Sequence, residues 1–186
     1  MTSVFGPTAW ATPANAVTVA RLLIAPMLFA AITDGPAWWL FAAWVVLCGS
    51  DGVDGWLARR MGTTRSGAFL DPLADKVLVL GGMFALVDYG AFPWLPVALI
   101  AARELLISMY RSVAARQGIS VPASRLAKWK TFTQQLAVGL MLLPPLAERG
   151  TWPALVTLWV ATALTLITGA QYLLTARQRA MSQRVV

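Results

Sequence analysis

The sequence predicts an all-α integral membrane protein: a six-transmembrane-helix bundle with a short N-terminal interfacial segment. Three observations carry that expectation. Hydrophobic residues make up 58% of the 186 residues and charged residues only 12%, with a mean hydropathy of +0.66, whereas a soluble domain carries roughly 25% charge. The apolar residues form six spans, each near the ~20 residues that a helix needs to cross a bilayer. The basic residues are segregated between alternate connections, as in a positive-inside pattern. Residues 1–186 read as one membrane domain, with no repeat, low-complexity tract or soluble module.

Each element follows from composition and breakers. Residues 1–12 hold Phe5 and Trp10 but no base, which fits a surface-lying segment better than a signal peptide. Pro13 precedes a first span at 17–33, and Asp34-Gly35-Pro36 separates it from a second at 36–56. A third span, 70–88, ends at Asp88-Tyr89-Gly90, and a fourth covers 92–115. The fifth, 129–147, is closed by Arg149-Gly150-Thr151 before the sixth, 152–175. Backbone groups in lipid must be satisfied within their own segment, so these spans are helices.

Orientation follows from the bases. Eleven of the fifteen Lys/Arg lie in or beside the connections after spans 2 and 4 and in the C-terminal tail, while the opposite connections hold only Arg149. With six spans, both termini and the first group face the cytoplasm, as expected of a multi-pass protein of the cell membrane. Trp38, Trp39, Trp94 and Trp152 then fall at the outer interface. The net charge of +7 is explained by this pattern and gives no reason to expect nucleic acid as a partner. The absence of histidine and the single Cys48 exclude His-based chemistry, a disulfide within the chain and Cys-cluster metal sites. Carboxylates, Lys/Arg, hydroxyls and hard cations remain.

Of eight acids, Asp34, Asp88 and Glu148 read as turn residues, and five lie in or at the ends of spans: Asp51, Asp54, Asp71, Asp75 and Glu104. Acids within a membrane are costly and mark function. Asp51 and Asp54 share one helix face, as do Asp71 and Asp75 on the next helix. The short connection between the helices lets four carboxylates converge near the inner surface. Uncompensated, they would repel one another. Without His or Cys, oxygen-ligated Mg²⁺, Mn²⁺ or Ca²⁺ is the fitting counter-charge. Gly55, Ala58 and Gly67 lack bulk and let a ligand approach, and Arg59 can fork onto a diphosphate. Two competing readings are helix-end salt bridges with Arg59, Arg60 or Lys76, and the cation pathway of a non-catalytic carrier. Neither accounts for the small residues and Arg set beside four acids.

The run Asp51-x2-Asp54-Gly55-x2-Ala58-Arg59-x7-Gly67-x3-Asp71-x3-Asp75 resembles the signature of the CDP-alcohol phosphatidyltransferase family. All of its fixed positions match, and the seven-residue spacer is one shorter than is usual there. Asn15, Thr18 and Arg21 resemble the family's first-helix element, with Ala14 where a proline is usual. Phe69-Leu-Asp-Pro-Leu-Ala-Asp-Lys76, Ala102-Arg-Glu-Leu105 and Ala127-Lys-Trp-Lys-Thr131 are similar to the phosphatidylglycerophosphate synthase branch. The resemblance implies a homodimer that transfers a phosphatidyl group from CDP-diacylglycerol to sn-glycerol 3-phosphate and releases CMP. It implies two Mg²⁺ or Mn²⁺ ions on Asp51, Asp54, Asp71 and Asp75, with Asp75 also the general base. Gly55, Ala58, Arg59 and Gly67 would shape the CDP pocket.

Arg111, Ser124, Arg125, Lys128 and Lys130, with Arg103 deeper, form a basic cluster suited to the acceptor phosphate. The plainer reading of these bases is orientation of the protein and attraction of anionic lipid. Arg103 and Glu104 have a second reading as interhelical salt bridges. Gln134, Gln135 and Gln171 read as interhelical hydrogen bonders. Other acceptors within the family, phosphatidylglycerol for cardiolipin synthesis or inositol phosphate, are the alternative.

Overall fold

The computed structural model describes residues 12–61, 65–116 and 125–182. The interfacial segment expected before residue 12 lies outside the described residues. Seven helices are described, and no strand occurs among these residues. They are α1 (Pro13–Ile32), α2 (Trp38–Met61), α3 (Arg65–Asp88), α4 (Trp94–Arg116), α5 (Arg125–Leu142), α6 (Pro144–Arg149) and α7 (Trp152–Ser182).

Local chemistry sets the boundaries. Thr12 caps α1 by accepting the Asn15 N–H at 3.1 Å, and Pro13 occupies the first turn, where its missing N–H costs nothing. Gly90 ends the α3 turn at φ +84°, a left-handed conformation that a Cβ disfavours. The fifth expected span is divided: α5 stops at Leu142, and the Pro144-Pro145 pair starts the short α6. Leu143 is extended (φ −79°, ψ 112°), as a residue before proline tends to be. Conversely, α2 and α3 run past the apolar spans, to Met61 and from Arg65, which brings Ala58, Arg59 and Gly67 into helices along with the four acids of the motif.

The six long helices alternate in direction. α1 packs on α2 and most extensively on α3; α7 packs on α5 and α4; contacts of α3 with α4 and of α5 with α2 and α3 join the two groups. The core is apolar at one end, around Ile32, Leu40, Trp44, Met83, Val97, Val138 and Leu158. At the other end the buried stripe turns polar. On α1 it runs Asn15, Thr18, Arg21, Ala25, Leu28, Ile32, while Leu23 and Met27 on the opposite face are 70% and 73% exposed. Polar inside with apolar outside inverts the pattern of a water-facing helix.

By length and composition, α1 and Trp152–Tyr172 of α7 can cross a bilayer, and Trp38–Ser50 of α2 is a shorter apolar stretch. The remaining long helices carry charged residues along their length: Asp71, Asp75 and Lys76 on α3, Arg103, Glu104 and Arg111 on α4, Lys128 and Lys130 on α5.

Candidate active site

The polar end of the bundle is built from the first half of α1, the end of α2, the beginnings of α3 and α5, the middle of α4 and the second half of α7. Asn15, Thr18 and Arg21 recur every third residue on α1 and are almost fully buried. Thr18 Oγ1 donates to Asp71 Oδ1 at 2.9 Å. Arg21 Nε donates to Ser50 Oγ at 3.0 Å, and Ser50 in turn donates to the Leu47 carbonyl at 2.8 Å. α1 therefore grips α3 at Asp71 and α2 one residue before Asp51.

Asp71 and Asp75 are one helical turn apart on α3, both half-buried. Asp75 Oδ1 accepts a long hydrogen bond, 3.4 Å, from Gln135 Nε2 of α5. Gly67, on the same helix, is buried. Asp51, Asp54, Gly55, Ala58 and Arg59 lie in the last four turns of α2, where the backbone alone is described. No group of three His, Cys, Asp or Glu side chains able to hold a metal occurs among the described residues.

The donor chemistry present fits a hard cation. Asp71 is held by a neutral hydroxyl and Asp75 by a neutral amide. Such donors orient a carboxylate without cancelling its charge.

The bases expected to meet the acceptor separate into distinct settings. Arg103, half-buried on α4, and the buried Lys130 of α5 converge on one oxygen, Oε1 of the buried Glu104. Arg103 Nη1 donates at 3.0 Å, and Lys130 Nζ makes a short charge-assisted bond to it. Neighbours on a helix point ~100° apart, and the long Arg103 side chain closes that gap. Its Nη2 donates to Thr168 Oγ1 of α7 at 2.9 Å, and its guanidinium lies 5.8 Å from the Tyr172 ring centroid. A Cβ at Gly169 would stand 3.2 Å from Arg103 Cγ, so the glycine lets the side chain lie against α7. Two basic side chains thus share one carboxylate oxygen. Arg111 and Lys128 are exposed. Arg125 opens α5 with its backbone alone described, and Ser124 lies outside the described residues.

Arg103 and Lys130 are thus brought together; Glu104 makes the interhelical salt bridge, to Lys130, whereas Arg103 pairs with Glu104 on its own helix and reaches α7 by a hydrogen bond. Ser50 and Thr168 are members of this polar end that sequence reasoning passed over. Their signal was weak, since a hydroxyl in an apolar helix ordinarily bonds the carbonyl one turn back, as Thr162 does to Leu158.

Comparison with known proteins decides what the arrangement belongs to. The family model for CDP-alcohol phosphatidyltransferase matches residues 11–177. The chain belongs to the CDP-alcohol phosphatidyltransferase family. A probable phosphatidylglycerophosphate synthase of Mycobacterium tuberculosis (strain H37Rv) is 38% identical over 169 residues, covering 86% of this chain and 78% of the relative. CDP-diacylglycerol–glycerol-3-phosphate 3-phosphatidyltransferases of Rickettsia felis and Bacillus subtilis (strain 168) are 36% and 35% identical. Each aligns with 85% of this chain and 91% of its own length. As a member of this phosphatidyltransferase family, the chain is a transferase, and the acids of α2 and α3 are the part of it that resembles the family signature.

Proposed function

We propose that the protein transfers a phosphatidyl group from CDP-diacylglycerol to sn-glycerol 3-phosphate, giving phosphatidylglycerophosphate and CMP. The observation that carries this reading is a juxtaposition at one end of the bundle. Asp75 of α3 bonds Gln135 of α5, the helix whose Lys130 joins Arg103 and Glu104 in a triad, and two bases on one carboxylate suit an acceptor that brings its own phosphate. The relatives named for the same transfer support it.

Asp51, Asp54, Asp71 and Asp75 would hold two Mg²⁺ or Mn²⁺ ions. Such ions, when bound, offset the charge of the diphosphate and the charge that develops on departing CMP. Gly55, Ala58 and Gly67 leave room for the cytidine diphosphate, and Arg59 forks onto it. Arg103, Arg111, Ser124, Arg125, Lys128 and Lys130 receive the acceptor phosphate. Asp75 takes the proton of the acceptor hydroxyl as that oxygen attacks the β-phosphorus. The bond from the β-phosphorus to the bridging oxygen breaks, and CMP leaves with the electron pair. Thr18 holds Asp71 in place while this occurs.

The protein works as a six-span homodimer in the cell membrane, with this polar end at the cytoplasmic face. Exposed Trp38, Trp39, Trp94 and Trp152 begin helices at the opposite end, where an aromatic belt belongs.

An acceptor panel with purified protein and labelled CDP-diacylglycerol tests the reading. CMP release should require glycerol 3-phosphate, cease with a chelator and return with Mg²⁺ or Mn²⁺. Equal release with phosphatidylglycerol or inositol phosphate would transfer the assignment to another branch, and full activity in metal-free buffer would refute the two-ion scheme.

A further inference from the structure

Gln135 lies outside the signature motif, yet it is held at two points. Its side-chain amide donates to Asp75 Oδ1 at 3.4 Å, and its backbone carbonyl accepts the indole N–H of Trp44 at 3.0 Å. Trp44 is 2% exposed. Its ring is wedged between α3 and α5: a Cβ at Gly82 would stand 2.7 Å from Cζ3, and one at Gly139 would stand 3.4 Å from Cδ1. One indole therefore fixes α2, α3 and α5 against each other in a single layer.

That layer stands in a simple relation to the acids. Asp51 follows Trp44 by seven residues on α2, and Gly82 follows Asp75 by seven on α3. The two helices run in opposite directions, so residues 51 and 75 both lie about 10 Å, two turns, from the Trp44–Gly82 contact. The contact sets the level of residues 51 and 75 along their two helices. Gln135, one turn before Gly139, extends the same fixation to the carboxylate of Asp75.

We infer that Gln135 is a positioning residue for Asp75, its amide orienting the carboxylate and its main chain keyed in place by Trp44. A neutral amide is suited to the task. It directs one oxygen without cancelling the charge. A lysine there would cancel the charge, and an apolar residue would remove this donor. The inference rests on the metal-dependent transfer proposed above.

Gln135→Met keeps volume and helix propensity while removing the donor. The neighbouring Gln134→Met is the control, because the Gln134 amide donates to Thr165 Oγ1 of α7 at 3.0 Å and touches neither acid. Three quantities are measured on detergent-purified full chain: Mn²⁺ affinity by electron paramagnetic resonance in the presence of CDP, steady-state kinetics, and the melting midpoint. Gln135→Met should weaken Mn²⁺ binding by about 10- to 100-fold, the range for groups that orient metal ligands. It should lower kcat by at least about tenfold, within the range of general-base contributions, and leave the KM for CDP-diacylglycerol nearly unchanged. Gln134→Met should keep wild-type Mn²⁺ affinity. Wild-type Mn²⁺ affinity and kcat in Gln135→Met would overturn the inference while leaving the proposed function standing. Equal loss of turnover and melting midpoint in both variants, with Mn²⁺ affinity intact, would reduce Gln135 to a packing role. Failure of the wild type to bind Mn²⁺ would remove the two-ion reading itself, and the inference with it.

Discussion

In the proposed mechanism Asp75 carries three demands at once: ligand, base and hydrogen-bond acceptor of Gln135. Replacing it by Asn preserves size and one carbonyl oxygen but removes the ability to take a proton at neutral pH. Asp75→Asn should abolish nearly all transfer while partly retaining CDP-diacylglycerol binding. The check is turnover beside equilibrium binding of labelled CDP-diacylglycerol. Since general-base catalysis contributes about 10²–10⁴-fold, a variant with more than about a tenth of wild-type turnover would rule out Asp75 as the base. Asp71 differs in its holder, a threonine hydroxyl on α1. The sequence showed that Asp71 and Asp75 share a face, because helical spacing is a local property. It did not show Thr18 against one acid and Gln135 against the other. Those meetings join residues 53 and 60 positions apart, and no local pattern encodes them.

At the scale of the helix, glycines mark where neighbours come closest. A Cβ at Gly82 would meet the Trp44 ring, and one at Gly81 would collide with the Phe29 ring of α1. Both glycines lie in mid-α3, where glycine costs about 1 kcal/mol relative to alanine in helix propensity. Their presence is explained by these contacts rather than by the helix. Gly82→Val should lower stability by about 1–3 kcal/mol, the usual cost of overpacking, and should impair turnover by shifting α3 along α2. Thermal unfolding in detergent, followed by activity at a temperature where the variant stays folded, separates the two effects. A variant with wild-type melting and turnover would show that Trp44 can move aside freely. The apolar spans made the six long helices legible in the sequence, since their period and breakers are local. The split of the fifth span at Pro144-Pro145 and the extension of α2 and α3 past their apolar stretches were less so. Hydropathy registers where a helix is greasy, and the polar ends of α2 and α3 continue the helix on backbone hydrogen bonds alone.

For the whole molecule, the distribution of charge makes two linked claims: which end faces the cytoplasm and which acceptor is used. Cysteine labelling in a Cys48→Ala background should find positions 64 and 182 accessible only from the cytoplasmic side. Labelling from outside alone would put the acids on the wrong face for a cytoplasmic nucleotide-linked donor. The acceptor argument begins from repulsion. Glycerol 3-phosphate carries nearly two negative charges toward four carboxylates and a diphosphate, so bases near the mouth must offset it. Lys130 and Arg103 supply the buried part, but both are tied to Glu104, and removing either disturbs a packed ion triad. Arg111 and Lys128 are exposed, so their replacement leaves the fold intact and gives the cleaner test. Arg111→Gln and Lys128→Gln should each raise the KM for glycerol 3-phosphate far more than the KM for CDP-diacylglycerol, and glycerol should be a poor acceptor for the wild type. If these bases only orient the protein and gather anionic lipid, both substrates will shift slightly and alike, and a change of lipid will restore them. Kinetics with each substrate varied at saturating levels of the other distinguish the two. An unchanged acceptor KM in both variants would leave phosphate recognition to Ser124, Arg125 and the Arg103–Glu104–Lys130 triad. Lys130→Gln would then test the triad's part, with Lys130→Arg restoring recognition through the same charge.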